Sequence, residues 1–564
     1  MPRLHRTCLV LVPTLLAAAC ATTMTPSVAP ATAGPALQVE VPEIRHPDGE
    51  TAAWWFRDGA AQAATRGAMN GRAKNVILFV GDGMSLTTVA AARILAGQRN
   101  GGPGESNRLS WERFPATALS KTYNTDSQTP DSAGTMSAMA TGAKTRAGVI
   151  SIGQSADYGD CTGALAAPLA TLWELAADSG MATGVVTTAR VTHATPAATF
   201  SHSASRNWEA TVPAEAEAAG CIDIARQMVE SPFGAGPDVL MGGGRTNFMP
   251  ASQQDPEYPD TSGRRKDGRD LIAQWKQRHP SGTYAWNAAQ FAAAPTDTPL
   301  LALFEPSHMQ YEHDRPNDAA GEPSLAEMTR AAITRLADDA EGYVLLVEGG
   351  RIDHAHHDGN AYRALSDTIA LSDAVQAAVD MTSADDTLIL VTADHSHTLS
   401  FVGYPTRGNP ILGKVREAND DGEVELTRDA NGLPYTTLSY SNGPGYTGAS
   451  ASQPAGPKTF PHDPREVQPA TGRPDLTEVD TTAPDYMQEA LVPTSSESHG
   501  GDDVGIWARG PGSAAVRGSV EQNAIFHFLL QAIPHLREAV CEAGGCNADG
   551  VPVELPAPDQ LKPR

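Results

Sequence analysis

The feature that most constrains this chain is a recurrence: apolar runs that end in a carboxylate. Tyr343-Val344-Leu345-Leu346-Val347 leads into Glu348-Gly349-Gly350-Arg351-Ile352-Asp353-His354-Ala355-His356-His357. An apolar run of this length reads as a buried strand, and the double glycine stops it. Asp353 and His357 are four residues apart, so one helical turn aims both at one point. Carboxylate with neutral imidazole is a ligand set suited to zinc. Taken alone, the segment reads equally as a polar loop with solvated histidines.

The pattern returns elsewhere. Asn75-Val76-Ile77-Leu78-Phe79-Val80 ends in Gly81-Asp82-Gly83-Met84, and Thr387-Leu388-Ile389-Leu390-Val391 runs on to Asp394-His395. Glu497-Ser498-His499 precedes a further strand from Val504. An acid at the carboxyl end of a strand sits where open α/β sheets bind ligands, although Asp82 by itself is also ordinary Asp-Gly turn chemistry. Further strands are expected at 184–188 and 238–242. Helices are expected at 50–69, 85–95, 171–179, 324–337, 360–381 and 518–533. Strand–helix alternation implies an α/β fold, a three-layer α/β/α sandwich with a mostly parallel central sheet. On that sheet Asp82, Asp353, His357, Asp394, His395 and His499 converge on one rim.

Asp131-Ser132-Ala133-Gly134-Thr135 opens a helix of small residues. Ser132 stands at its N-terminus, where the macrodipole and free amides favour an alkoxide and an anion; Asp131 or Ser132 serving as a plain N-cap is the competing reading. Arg206 lies near a similar rim. Gly242-Gly243-Gly244 lacks the Gly-Lys-Ser/Thr ending of a phosphate cradle and reads as tight backbone packing. Residues 250–325 are acidic and loop-rich. Glu257, Glu305 and Glu322 stand out there as candidate cation ligands, against a reading as exposed acids.

A formal net charge of -25 argues against nucleic acid as a partner. It also repels anionic substrates at long range, so an anion site must be made locally positive, and metal cations do that. The N-terminus has Arg3 and Arg6, then an apolar run from Cys8 to Ala19. Residues 1–20 therefore read as a signal peptide, too short to span a membrane as a stable helix. The small residues before Cys20 allow two outcomes, a lipid anchor at Cys20 or ordinary cleavage. Export would make the protein periplasmic, an outer-membrane lipoprotein, or secreted. Cys161, Cys221, Cys541 and Cys546 are an even set with three pairings open. Residues 21–49 read as a linker, 405–493 as a Gly/Pro/Thr-rich insertion, and 547–564 as a mobile tail. The catalytic body is then 50–404 with 494–546.

Six motifs in order resemble the alkaline phosphatase family: Gly81-Asp82-Gly83-Met84, Pro130-Asp131-Ser132-Ala133-Gly134-Thr135, His193-Ala194-Thr195-Pro196, Glu348 to His357, Thr392-Ala393-Asp394-His395-Ser396-His397, and Ser441-Asn442-Gly443-Pro444-Gly445-Tyr446. The resemblance covers roughly residues 50–546. It implies two zinc ions and one magnesium. Asp353, His357 and His499 would hold the first zinc, and Asp82, Asp394 and His395 the second. Asp82 would also reach magnesium, with Thr195 and Glu348. Ser132 would be the nucleophile and Arg206 the phosphoryl clamp, with His193 and His354 just outside the ions. Histidine at both of those positions matches the branch that includes the animal enzymes. That branch implies a calcium-like site at Glu257, Glu305, Glu322 and the Phe304 carbonyl, the pairs Cys161–Cys221 and Cys541–Cys546, a homodimer, and a crown domain matching 405–493.

The function so implied is hydrolysis of a broad range of small phosphate monoesters through a phosphoserine. The alternatives are a phosphodiesterase of the same superfamily, or a non-catalytic phosphate- or metal-binding protein.

Overall fold

Alternation within the strands sets the architecture. In the strand Asn75–Gly81 (β1), Val76, Leu78 and Val80 enter one apolar core, while Ile77 and Phe79 enter another. Side chains alternate across a strand, so a run that is apolar throughout must be covered on both faces. The computed structural model describes residues 37–42, 49–554, 558 and 561. Residues 1–20, Cys20 and most of the 21–49 linker lie outside the described residues.

Among the described residues, β1 is joined in one sheet by β2 (Ala116–Lys121), β3 (Ala182–Arg190), β4 (Val239–Gly243), β5 (Thr283–Ala285), β6 (Leu300–Leu303), β7 (Tyr343–Gly349), β8 (Thr387–Ala393), β9 (Val504–Arg509) and β10 (Arg517–Glu521). Their order is β10-β2-β9-β8-β1-β7-β3-β4-β6-β5. The pairings are parallel except those of β9, which runs antiparallel to β2 and β8. Helices α1 (Ala52–Thr65), α3 (Ser132–Thr141) and α7 (Ala524–Ala532) contribute to the first core. Helices α2 (Leu86–Arg99), α4 (Leu325–Leu336) and α6 (Ala361–Met381) contribute to the second. The result is a three-layer sandwich. α4 shows the local logic. Ser324 and Glu327 form a capping box at its start, and Leu325, Met328, Ala332, Ile333 and Leu336 repeat at helical spacing onto the sheet. Each fully buried Leu or Ile contributes about 1.5–3 kcal/mol.

Register brings the functional ends level. Gly81 of β1 pairs with Gly349 of β7 and with Ala393 of β8. Asp82 and Asp394 therefore leave the sheet side by side. β7 passes directly into α5 (Arg351–His357), which carries Asp353 and His357.

Two expectations need correction. The segment 518–533 is not one helix: it begins as β10, an edge strand parallel to β2, and becomes helical only at Ala524. Residues 250–325 hold more than loops, because Leu300-Leu301-Ala302-Leu303 is a buried strand paired with β4 and β5. Four apolar residues in an acidic window are too short a signal for periodicity to register. The triple glycine does pack tightly, since a Cβ on Gly243 would lie 2.1 Å from the Ser307 carbonyl oxygen.

Strands Leu399–Phe401, Leu438–Gly443 and Ala490–Pro493 form a separate three-stranded sheet. Beyond α7, Val551 is buried with Ala60 and Ala64 of α1, and Leu37 and Val39 pack against the same cluster. Cys161 is bonded to Cys221 and Cys541 to Cys546. Among the described residues no helix is long and apolar enough to cross a membrane.

Candidate active site

Three imidazoles crowd one oxygen of Asp353. From Asp353 Oδ1, the Nε2 atoms of His397, His357 and His499 lie at 2.7, 3.3 and 3.5 Å. His357 and His499 face each other, Nε2 to Nε2, at 3.2 Å. Their outer nitrogens are already committed. His499 Nδ1 donates to the Pro130 carbonyl at 2.8 Å, and His357 Nδ1 donates to the Glu497 carbonyl at 2.5 Å. A neutral imidazole carries one proton, so both Nε2 atoms present lone pairs inward. Two lone pairs and a carboxylate facing one another form an acceptor-only cluster, which a cation satisfies and a hydrogen bond does not.

A second cluster adjoins it. Asp82, Asp394 and His395 bring ligand atoms together at the ends of β1 and β8. Asp394 Oδ1 accepts from Gly83 N at 2.9 Å and from His395 N at 2.8 Å. Gly83 has φ +67°, and a Cβ there would lie 2.3 Å from the His397 ring, so the turn admits glycine alone. Asp82 Oδ2 is buried without a hydrogen-bond partner. His395 Nδ1 faces the Ser396 carbonyl at 3.2 Å, leaving Nε2 directed at Asp82, Asp394 and Ser132.

A third group lies on the other side of Asp82. Asp82, His193 and Glu348 converge, and Glu348 Oε1 and His193 Nδ1 are buried without partners. Glu348 Oε2 accepts from the Thr187 hydroxyl, and Thr195 lies beside Glu348. The His354 ring lies 5.4 Å from that of His193, tilted to it, and 4.0 Å from that of His308, centroid to centroid.

Charge follows geometry. Burial, reinforced by Asp394, Asp353 and Glu348, holds the Asp82 carboxyl well above the carboxylate range. Burial and Asp394 push Glu348 up to about 8, against the Thr187 hydroxyl. Burial keeps His193, His354 and His395 neutral. Acids that resist ionising beside neutral imidazoles are what a site built for cations looks like without their charge. The residues present fit divalent metal ions.

Ser132 is the first residue of α3. Its Oγ lies 3.1 Å from His395 Nε2 and 3.4 Å from Asp82 Oδ1. Asp131 is the N-cap, so the hydroxyl of Ser132 is free to face the rim. Asp131 Oδ1 accepts from Gly134 N and Gly148 N, and Oδ2 accepts from Arg206 at 2.9 Å. The other arm of Arg206 meets His193 Nε2 at 3.1 Å. One carboxylate thus fixes both the helix that presents Ser132 and the guanidinium beside it.

The acidic cluster is arranged differently from expectation. Glu257 and Glu305 come together with Asp318, a residue the sequence reading passed over. Glu322 lies beside them: its Oε1 accepts from Gln310 N, whose side chain donates to Glu305, and its Oε2 is buried without a partner. The Phe304 carbonyl accepts from Arg245 at 3.0 Å. Burial pushes Glu305 up to about 7 and Glu322 to about 9.

His397 and Glu497 stand in the quoted segments with no role assigned to them. Their signal was present, since His397 is two residues after His395 and Glu497 two before His499, the spacing of one strand face.

Comparison with known proteins agrees with this geometry. The family model described as alkaline phosphatase matches residues 73–534. The tissue-nonspecific alkaline phosphatase of Gallus gallus is 41% identical over 472 residues, covering 82% of this chain and 84% of that protein. The alkaline phosphatase of Gadus morhua is 40% identical over 470 residues, covering 82% and 92%. The crystal structure of Thermus thermophilus alkaline phosphatase superposes with a TM-score of 0.57 at 28% identity, covering 82% and 92%. A match through every segment that builds the rim, from β1 to α7, makes this chain a phosphatase enzyme of the alkaline phosphatase family.

Proposed function

We propose that the protein is an exported phosphomonoesterase that hydrolyses a broad range of small phosphate monoesters through a phosphoserine at Ser132. The observation that carries this reading is the acceptor-only cluster of Asp353, His357 and His499, set beside Ser132 and Arg206. Asp353, His357 and His499 would hold one zinc; Asp82, Asp394 and His395 the other; Asp82, Thr195 and Glu348 a magnesium. When bound, these ions supply Lewis-acid charge that lowers the pKa of the serine and of water and neutralises the phosphoryl group.

The chain's own residues do the rest. The α3 N-terminus presents Ser132 Oγ, which attacks phosphorus as the alcohol departs in line. Water then attacks phosphorus from the side the alcohol left, the Oγ–P bond breaks to restore the Ser132 hydroxyl and release phosphate, and two inversions give net retention. Arg206 orients the equatorial oxygens with its two-pronged fork, held at the correct angle by Asp131. No feature of the rim selects a particular alcohol, so recognition rests on the phosphate.

Other parts of the reading follow. Glu257, Glu305, Asp318 and Glu322 would hold a calcium ion, supported by buried carboxylate oxygens that lack partners. Two disulfides support an oxidising compartment. A homodimer would cover exposed apolar side chains such as Tyr404 (87% exposed) and Leu491 (79% exposed). Light scattering on the purified mature chain tests this, and a monomer at micromolar concentration would refute it.

The deciding experiment is hydrolysis of an aryl phosphate monoester, and of the matching diester, by wild type and Ser132→Ala. Each is chelated and then given back zinc and magnesium. We expect metal-dependent monoester turnover that falls by at least about 10³-fold in the variant. A metal-loaded wild type that prefers the diester would move the assignment to a phosphodiesterase.

A further inference from the structure

Glu497 is 1% exposed, carries a carboxylate, and has no part in the site as assigned so far. Its carboxylate is fully engaged. Oε2 meets His397 Nδ1, and Oε1 accepts from Thr398 N at 2.7 Å and from the Thr398 hydroxyl. The opposite nitrogen of His397 reaches Asp353 Oδ1 at 2.7 Å. His397 therefore bridges two buried carboxylates, and its ring is fixed at both ends.

The backbone of Glu497 grips a second element. Its carbonyl accepts from His357 Nδ1 at 2.5 Å, and its N–H donates to the His357 carbonyl at 2.9 Å. Two residues on, His499 pairs with His397 across a short antiparallel ladder. There is little slack: a Cβ on Gly443 would lie 3.0 Å from the Glu497 Cβ. One residue thus reaches all three proposed ligands of the first ion. It reaches Asp353 through His397, His357 through its own carbonyl, and His499 through two bonds of chain.

We propose that Glu497 is the positioning residue of the first metal centre, holding His397 so that Asp353 keeps one oxygen turned to the ion while its carbonyl keeps His357 Nε2 pointing inward. The proposal rests on Asp353, His357 and His499 being ligands. Glu497 acts through His397 and through its own backbone, because both of its carboxylate oxygens are engaged by His397 and Thr398. Outer partners of this kind set metal affinity, and losing one weakens binding by about 10- to 100-fold.

The test uses the full mature protein and zinc itself. Zinc dissociation constants are measured by chelator competition for wild type, Asp353→Asn, Glu497→Gln, His397→Ala and the Glu497→Gln/His397→Ala double variant. Visible spectra of the cobalt-substituted forms and thermal midpoints of the metal-free forms accompany them. Glu497→Gln should weaken one zinc site about 10- to 100-fold, leave the other unchanged, and alter the cobalt spectrum. The double variant should bind zinc no more weakly than His397→Ala, because both act along one path. Thr398→Val removes a single bond to Glu497 and should weaken the same site a few-fold, which keeps the test open if Glu497→Gln does not fold. Zinc lost by Asp353→Asn but held normally by Glu497→Gln, or by Thr398→Val where Glu497→Gln does not fold, overturns the proposal alone. Additive losses in the double variant also overturn it. Zinc held normally by Asp353→Asn overturns the ligand reading and the proposal together.

Discussion

Asp131 joins two functions that the sequence presents seventy-odd residues apart. Its carboxylate caps α3, which begins with Ser132, and it binds Arg206. Burial disfavours the charge on Arg206, but Asp131 beside it more than offsets this, so the guanidinium's pKa lies above its ordinary value. We expect Arg206→Ala to lower kcat/KM for a monoester by about 10- to 100-fold, the worth of a charge-assisted hydrogen bond, and to weaken inhibition by inorganic phosphate. Steady-state kinetics with phosphate as competitor measures both. Arg206→Lys should recover little, since one ammonium cannot bond Asp131, His193 and a phosphoryl oxygen together. Equal inhibition by phosphate in wild type and Arg206→Ala would remove Arg206 from the clamp.

The acids of the site stand on three strand ends and one short helix. Without metal ions these elements hold Glu348 with a raised pKa. Folded, Glu348 titrates at about 8, against 4.5 as the ordinary value. Its contribution to stability is full below pH 4.5 and is lost as pH rises through about 8. The chelated protein should therefore melt at falling temperatures from pH 5 to pH 8.5, and restoring metal should flatten that slope. Calorimetry on both forms checks the sign. These same elements were legible in the sequence because each joins a long apolar run to an acid. Asp82, Asp353 and Asp394 announced themselves that way, and the register of β1, β7 and β8 then brings them level. Asp318 lacked any such frame. It sits in an irregular segment whose path depends on tertiary contacts, so the family resemblance, which pointed to Glu322, gave it no role. β10 and β6 were missed for a related reason: short strands at or near a sheet edge owe their form to a neighbour, not to their own pattern. His397 and Glu497 acquire meaning only once 396–397 and 499–500 pair, a contact a hundred residues long in sequence.

Across the whole molecule, two covalent ties have unequal reach. Cys161–Cys221 closes a separation of 60 residues and Cys541–Cys546 one of 5. Loop-closure entropy alone assigns about 4 kcal/mol to the first and about 2 kcal/mol to the second. Replacing each pair by serine and measuring unfolding in guanidinium should show the first pair costing more. Equal losses would mean that native contacts around Cys541 outweigh chain entropy. Metal removal belongs at this scale as well, since ions that bind only the folded chain raise its melting temperature with their concentration.

The ladder between 396–397 and 499–500 has a consequence for the history of such a molecule. The chain between His397 and His499 is therefore a loop closed at its base by a clasp made of site residues. Lengthening a loop already fastened at its base costs little, about 0.6 kcal/mol for each doubling. Exposed stretches beyond the clasp can therefore lengthen at little cost, while Leu438 and Tyr440, buried in the second core with Tyr440 against His356, stay tied to the body.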